Sequence, residues 1–274
     1  MISRRSHSAF TLVELLIAVT ITVLIVVLLG TMFGSLTKTT SRANQRIDAF
    51  RDARAALQMM ERDLSDLVHA TPAAYFSATT ATTIYDDGNT ASQKNHQLYA
   101  LCALKNQPPG NPAPVAGDMC AVGYYCRWET NASGQQGHYV LRRHFRDSDA
   151  TFQAFKTNGA GNYMAAATLY RPSASDDILA SYVWNLQITA YKSDGTIDTT
   201  YPTATDTLTA ADPAGSSAAL PAAIEISFNA MSPEAARTIM SVSSSQSDWM
   251  NPASTNYTRL IAPNAYEFRT RIKF

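Results

Sequence analysis

Few residue groupings in this 274-residue chain could do chemistry. The histidines His7, His69, His96, His138 and His144 form no H-E-x-x-H pair, and none stands at zinc-ligand spacing from a cysteine. Nucleophile-elbow, P-loop and dinucleotide fingerprints do not occur. Asp194-Gly195-x-x-Asp198 and Asp86-Asp87-Gly88 lack the alternating acidic ligands of a calcium loop, and turn chemistry accounts for both. Cys102, Cys120 and Cys126 make no C-x-x-C motif. In a domain outside the cytoplasm they read as one disulfide and one leftover thiol. Cys102 and Cys120 flank a loop between two strands and are the favoured pair; three buried or free thiols is the alternative. No catalytic set, metal site or cofactor is expected. What remains is one carboxylate, Glu14, in a place where carboxylates are costly.

Glu14 is the only charge in the run FTLVELLIAVTITVLIVVLLGTMF over 10–33. As a helix this run is ~36 Å long at ~1.5 Å per residue, enough to cross a hydrocarbon core of ~30 Å. A cleaved secretory signal has a shorter apolar region, about 7–15 residues, and a small-x-small site that is missing here. A carboxylate near the middle of a spanning helix costs ~2.5–3.5 kcal/mol and normally has a partner. Glu14 lies one turn in, so snorkelling to the headgroups would make it tolerable. A cut between Ala9 and Phe10 offers a second solution. It would create a cationic amine at Phe10, four residues upstream, able to neutralise a carboxylate at this depth on a neighbouring chain. Arg4, Arg5 and His7 favour a cytoplasmic N-terminus, although Lys38, Arg42 and Arg46 beyond the span blur that bias.

Around this span the composition is plain. Lys+Arg and Asp+Glu number 22 each, which removes the basic footprint of a nucleic-acid binder, and no nucleic acid is expected as a partner. Beyond Gly34 the residues Ile47, Phe50, Ala53, Leu57, Met60, Leu64 and Leu67 recur every three or four positions among charged neighbours. The helix is therefore expected to continue to about Ala70, ahead of Pro72, as a rod of ~90 Å; a membrane helix plus a separate packing helix is the alternative. Gly30 and Gly34 form G-x-x-x-G, which either lets helices approach closely or loosens the helix as it leaves the bilayer.

The order of these features (basic leader, small residue, Phe10-Thr11-Leu12-Val13-Glu14, apolar run) resembles the N-terminal signal of type IV prepilins and type II secretion pseudopilins. The resemblance implies cleavage by a membrane prepilin peptidase after Ala9, where the family usually has Gly. It also implies N-methylation of Phe10, and Glu14 as the carboxylate used in assembly. Implied partners are the peptidase, other pilin or pseudopilin subunits, an inner-membrane assembly platform and the lipid bilayer. Gln58-Met59-Met60-Glu61-Arg62-Asp63-Leu64, Gly123-Tyr124-Tyr125, Leu141-Arg142-Arg143 and Leu220-Pro221-Ala222-Ala223-Ile224-Glu225-Ile226 resemble minor pseudopilin J-like proteins. Ala49-Phe50-Arg51-Asp52-Ala53-Arg54-Ala55, the stretch 229–236 and the arginine-bearing last strand are similar to prepilin-like Verru_Chthon cassette protein C.

Past Pro72 the texture is that of half-buried strands: 98–104, 122–129, 139–145, 184–190, 224–229 and 266–274 alternate apolar with polar residues. Asp194-Gly195 and Ser133-Gly134 mark turns. Ser232-Pro233-Glu234 opens a short helix to about Met240. The segments 105–119, 199–219 and 241–258 read as long loops. The expected class is α+β: a long hydrophobic then amphipathic N-terminal helix, followed by a β-rich antiparallel head. The expected parts are a leader at 1–9, a membrane helix at 10–34, its continuation at 35–71 and a periplasmic head at 72–274. The resemblance implies a single-pass inner-membrane protein with a cytoplasmic N-terminus, serving as a minor pilin or pseudopilin subunit. The other reading is a membrane-anchored binding protein that does not assemble.

Overall fold

The computed structural model describes residues 12–67, 74–77, 95–104, 119–130, 136–158, 173, 175–197, 221–243 and 245–274. The sequence expectations at Ala9, Phe10, Asp86-Asp87-Gly88 and Ser133-Gly134, and for nearly all of 105–119 and 199–219, lie outside them. Among the described residues a long N-terminal helix, α1 (Leu12–Ser65), precedes eight antiparallel strands. Contacts divide the chain between Gln45 and Arg46, so the last twenty residues of α1 belong with the strands.

Those residues carry the apolar stripe read from the sequence. Ala53, Ala56, Leu57, Met60 and Leu64 are buried, and so is Leu67 just past the helix end. Ile47 is not; it is 62% exposed, because packing begins one turn later at Phe50. The Phe50 ring meets Tyr266 and Phe268 edge-on, with centroids 4.8 and 5.5 Å away. The helix also stops earlier than Pro72 suggests. Beyond Ser65 the backbone is taken up by the neighbouring sheet: the Ala103 N–H donates to the Asp66 carbonyl at 2.7 Å, and Leu67 bridges to Cys102.

The larger sheet has the order β1 (Ala74–Ser77), β2 (Gln97–Cys102), β3 (Cys120–Thr130), β4 (Gly137–Arg146), β5 (Asp177–Ser181). The smaller has the order β6 (Val183–Tyr191), β7 (Ala223–Ala230), β8 (Tyr266–Lys273). One residue, Tyr182, separates β5 from β6, and its φ of 62° turns the chain from one sheet into the other. β6 and β7 show the strict alternation of burial expected of them, whereas β3 is buried continuously from Cys120 to Cys126. That strand is covered on both faces. Tyr124 faces Asp63 of α1, and on the other side the Ala121 N–H bonds the Thr151 hydroxyl of α2 (Ser148–Asn158) at 3.2 Å.

α3 (Pro233–Val242) begins where the sequence places it, with the Ser232 side chain accepting from the Ala235 N–H at 3.3 Å. The segment 241–258 is no plain loop. It contains α4 (Gln246–Met250) and runs into a π turn at Tyr257–Ile261. Its serines and asparagines read as loop, but they converge on Asp248, which accepts from the Ser243 hydroxyl, the Ser254 hydroxyl at 2.6 Å and the Asn256 amide at 2.9 Å. Burial works to raise this carboxyl's pKa, yet the three donors outweigh it and hold it below the usual value. Trp249 of α4 then enters a cluster with Trp128, Tyr139 and Trp184 that joins the two sheets.

Two polar features fix this core. Asp63, only 5% exposed, accepts two N–H bonds at 2.8 Å from Arg143 of β4 and the Tyr124 hydroxyl of β3, tying α1 to the larger sheet. At the outer edge of β6, His96 donates its backbone N–H to Leu186 at 2.7 Å, and its Nδ1 accepts from the Ile188 N–H at 2.9 Å. The ring is neutral in that arrangement, and burial pushes its pKa down to about 4.

Breaking a buried ion pair from one side strands the other charge. Asp63→Asn is therefore expected to cost roughly 3 kcal/mol in urea unfolding of the detergent-solubilised chain, and a change below about 0.5 kcal/mol would contradict this role. His96 sets a pH dependence. The unfolded ring binds its proton near pH 6.5 and the folded one only near 4. Its contribution is thus complete above about pH 6.5 and shrinks as pH falls toward 4. Unfolding midpoints of wild type and His96→Gln should converge over that window; a constant difference would count against the assignment.

Candidate functional site

The stretch with the strongest functional character is the first half of α1. Within Leu12–Ser41 the mean hydropathy of the most apolar 18 residues is 3.0, and none of that window is buried by the described residues. Leu12, Val13, Leu15, Leu16, Ile17, Val19, Ile21, Val23 and Leu24 are each about half exposed or more, on every side of the helix. A helix apolar all round and uncovered by the described residues suits hydrocarbon or other helices. The polar atoms within it are turned inward. The Thr20 hydroxyl donates to the Ile17 carbonyl at 2.8 Å, Thr22 to Ala18 at 2.8 Å, Thr31 to Leu28 at 2.8 Å and Thr37 to Phe33 at 2.9 Å. Each hydroxyl proton thus has a partner without water.

The helix passes through Gly30 and Gly34 without interruption, and nothing within 4 Å would meet a Cβ at either. Among the described residues, then, neither glycine is required by a contact within the chain.

Glu14 lies at the start of the described part of α1, among Leu12, Val13, Leu15 and Leu16, each more than half exposed. A full carboxylate is costly in such an apolar sleeve. Ala9 and Phe10 lie outside the described residues, so their geometry toward Glu14 is not on view. Cys102 and Cys120 are brought together as opposite residues of β2 and β3; both are buried thiols in this structure, as is Cys126. Asp194 is occupied by its own turn, accepting from the Thr196 N–H at 2.9 Å and hydroxyl at 2.6 Å beside Gly195 at φ 83°.

One polar group escaped sequence reasoning. Asp176 accepts from His144 Nδ1 at 3.0 Å, the Tyr125 hydroxyl at 2.8 Å and the Ser173 N–H at 2.8 Å, while Arg142 donates to its carbonyl at 2.6 Å. A carboxylate–imidazole pair suggests hydrolytic chemistry, but the side chains of His144 and Asp176 are 1% and 7% exposed. The Ser173 hydroxyl is turned to Ser175 at 2.9 Å. The arrangement is a buried pin holding β5 to β4. Its sequence signal is the run Arg142-Arg143-His144 between the apolar residues Tyr139-Val140-Leu141 and Phe145.

Comparison with known proteins agrees with the emphasis on the N-terminus. Residues 4–30 match the family model for the prokaryotic N-terminal methylation motif, so the chain carries a prepilin-type signal leading into its apolar helix. No curated protein matches the chain. Among solved structures it is similar to a chain of the GspK-GspI-GspJ complex of the enterotoxigenic Escherichia coli type 2 secretion system. That match has 9% identity and a TM-score of 0.35, covering 82% of this chain and 98% of the other. It is also similar to a type IV-like pilin from Thermus thermophilus, at 9% identity and a TM-score of 0.30, covering 81% and 95%.

Proposed function

We propose that this chain is a minor pilin or pseudopilin subunit, held in the membrane by α1 and then packed by that helix into a filament of the type IV pilus or secretion pseudopilus kind. The observation that carries the reading is Glu14 among the apolar residues of α1, inside the segment 4–30 that matches the N-terminal methylation motif. Cleavage between Ala9 and Phe10 by a prepilin peptidase frees an amine at Phe10, which is then methylated. That amine and the Glu14 carboxylate of an adjacent subunit neutralise each other where neither could stay charged alone. Leucine and valine side chains of α1 supply undirected lateral packing, and the ion pair sets the axial register.

In this reading the N-terminus begins in the cytoplasm, α1 crosses the inner membrane once and the strand-rich head lies in the periplasm, moving outward on assembly. The role is structural, with no catalytic step. Its partners are the peptidase, other subunits of the same class, an inner-membrane platform and the bilayer.

Glu14→Val tests it. Valine suits the apolar helix better than glutamate, so membrane insertion should be kept. Incorporation into filaments, read by crosslinking to neighbouring subunits in the native host, should fall about tenfold or more, the ratio given by roughly 1.4 kcal/mol of lost pairing. Undiminished incorporation would favour a membrane-anchored binding protein that does not assemble.

A further inference from the structure

The three buried thiols are reactive groups that the reading above leaves unused. The register of β2 and β3 makes Cys102 and Cys120 directly opposite partners at the end of their ladder. Opposite residues of an antiparallel pair share one face, with Cα atoms about 4.5–5.5 Å apart. A disulfide accepts Cα separations of about 4.4–6.8 Å. Both residues are wholly buried, and the Cys120 thiol donates to the Leu104 carbonyl at 3.4 Å. Cys126 is six residues further along β3, opposite Leu141 of β4. At about 3.3 Å per residue that is about 20 Å away. Of the three pairings open to three cysteines, the sheet permits one.

We propose that Cys102 and Cys120 close into an intramolecular disulfide that staples β2 to β3 beneath the C-terminal end of α1. The location gives the bond a purpose. Leu67 bridges to Cys102 itself, and Asp66 accepts from the next residue, Ala103, so the staple sits where the helix hands over to the sheet. It also closes the root of the segment that runs from β2 to β3. The bond forms by thiol–disulfide exchange. One cysteine thiolate attacks the disulfide of an oxidising protein or of oxidised glutathione, releasing one thiolate, and the second attacks the mixed disulfide at the first cysteine's sulfur, releasing the other. The oxidant departs as two thiols carrying both protons. Burial, with the nearby carboxylates of Asp63 and Asp66 adding to it, raises the pKa of the Cys102 thiol. Thiolate is therefore scarce once the sheet has closed, so exchange belongs to folding, and the finished bond is shielded from reductants.

Oxidation in the cell rests on the proposed location of the head outside the cytoplasm; the pairing itself does not. The test uses full-length chain extracted from the native envelope, acid-quenched, unfolded and alkylated with N-ethylmaleimide. The expected result is one maleimide, on Cys126, with a reducible Cys102–Cys120 peptide link. In a second arm the detergent-solubilised chain is reduced, unfolded in urea and returned to detergent with a glutathione couple, each fraction being mass-mapped. Closure of Cys102–Cys120 in the second arm with three maleimides in the first would keep the pairing and contradict the location. A link involving Cys126, or three maleimides in both arms, would overturn the proposal. Reduction should also lower the thermal midpoint of wild type by several degrees and leave that of Cys102→Ser unmoved.

Discussion

A carboxylate in an otherwise apolar stretch of helix is the constraint around which this chain is organised. Between Leu12 and Leu29 the helix has no face suited to water, and no described residue covers it. Every hydroxyl described above within it bonds back to the backbone, so threonine costs little there. Glu14 is different in kind. A hydroxyl can be satisfied by a carbonyl one turn away, but a full charge needs a counter-charge or contact with water. Its near neighbours along the helix, Leu12, Val13, Leu15 and Leu16, are apolar and more than half exposed.

The second half of α1 obeys another rule. From Phe50 onward one stripe is buried and the opposite face carries Arg51, Asp52, Arg54, Glu61 and Arg62 in the open. The stripe alone would hold α1 to the larger sheet without fixing its rotation or axial position, since apolar packing is non-directional. Asp63 adds direction. Its bonds to Arg143 and Tyr124 specify one register of α1 on β3 and β4. Polar groups used in this way recur in the head: Asp176 positions β5, Asp248 shapes the segment after α3, and Asn95 and His96 complete the edge of β6.

Much of this was legible in the sequence, for identifiable reasons. The span, the stripe and strands such as 224–229 have periodicities set by helix and strand geometry, and alternation survives wherever one face of a strand is wet. β3 hid part of its character because α2 covers its second face, and α2 itself was unforeseen. The helix end was misplaced because Pro72 is a local signal, whereas the true stop is the capture of Asp66 and Leu67 by the sheet. Ile47 fits the stripe by spacing yet lies beyond the reach of the head's packing surface. α4 was lost in a serine-rich stretch because its helix is fixed by Asp248 and Trp249, contacts no local pattern encodes. The buried partners Asp63, Asp176 and His144 look like surface charges in sequence, and only the fold distinguishes them.

The claim beneath the functional account is that Glu14 answers to an amine that exists only after the chain has been cut. Intact mass and N-terminal sequencing of the protein from its own envelope test it most directly. The account requires a polypeptide starting at Phe10 and one methyl group heavier than its sequence. A chain that still begins at Met1, in cells whose prepilin peptidase is active, would contradict it.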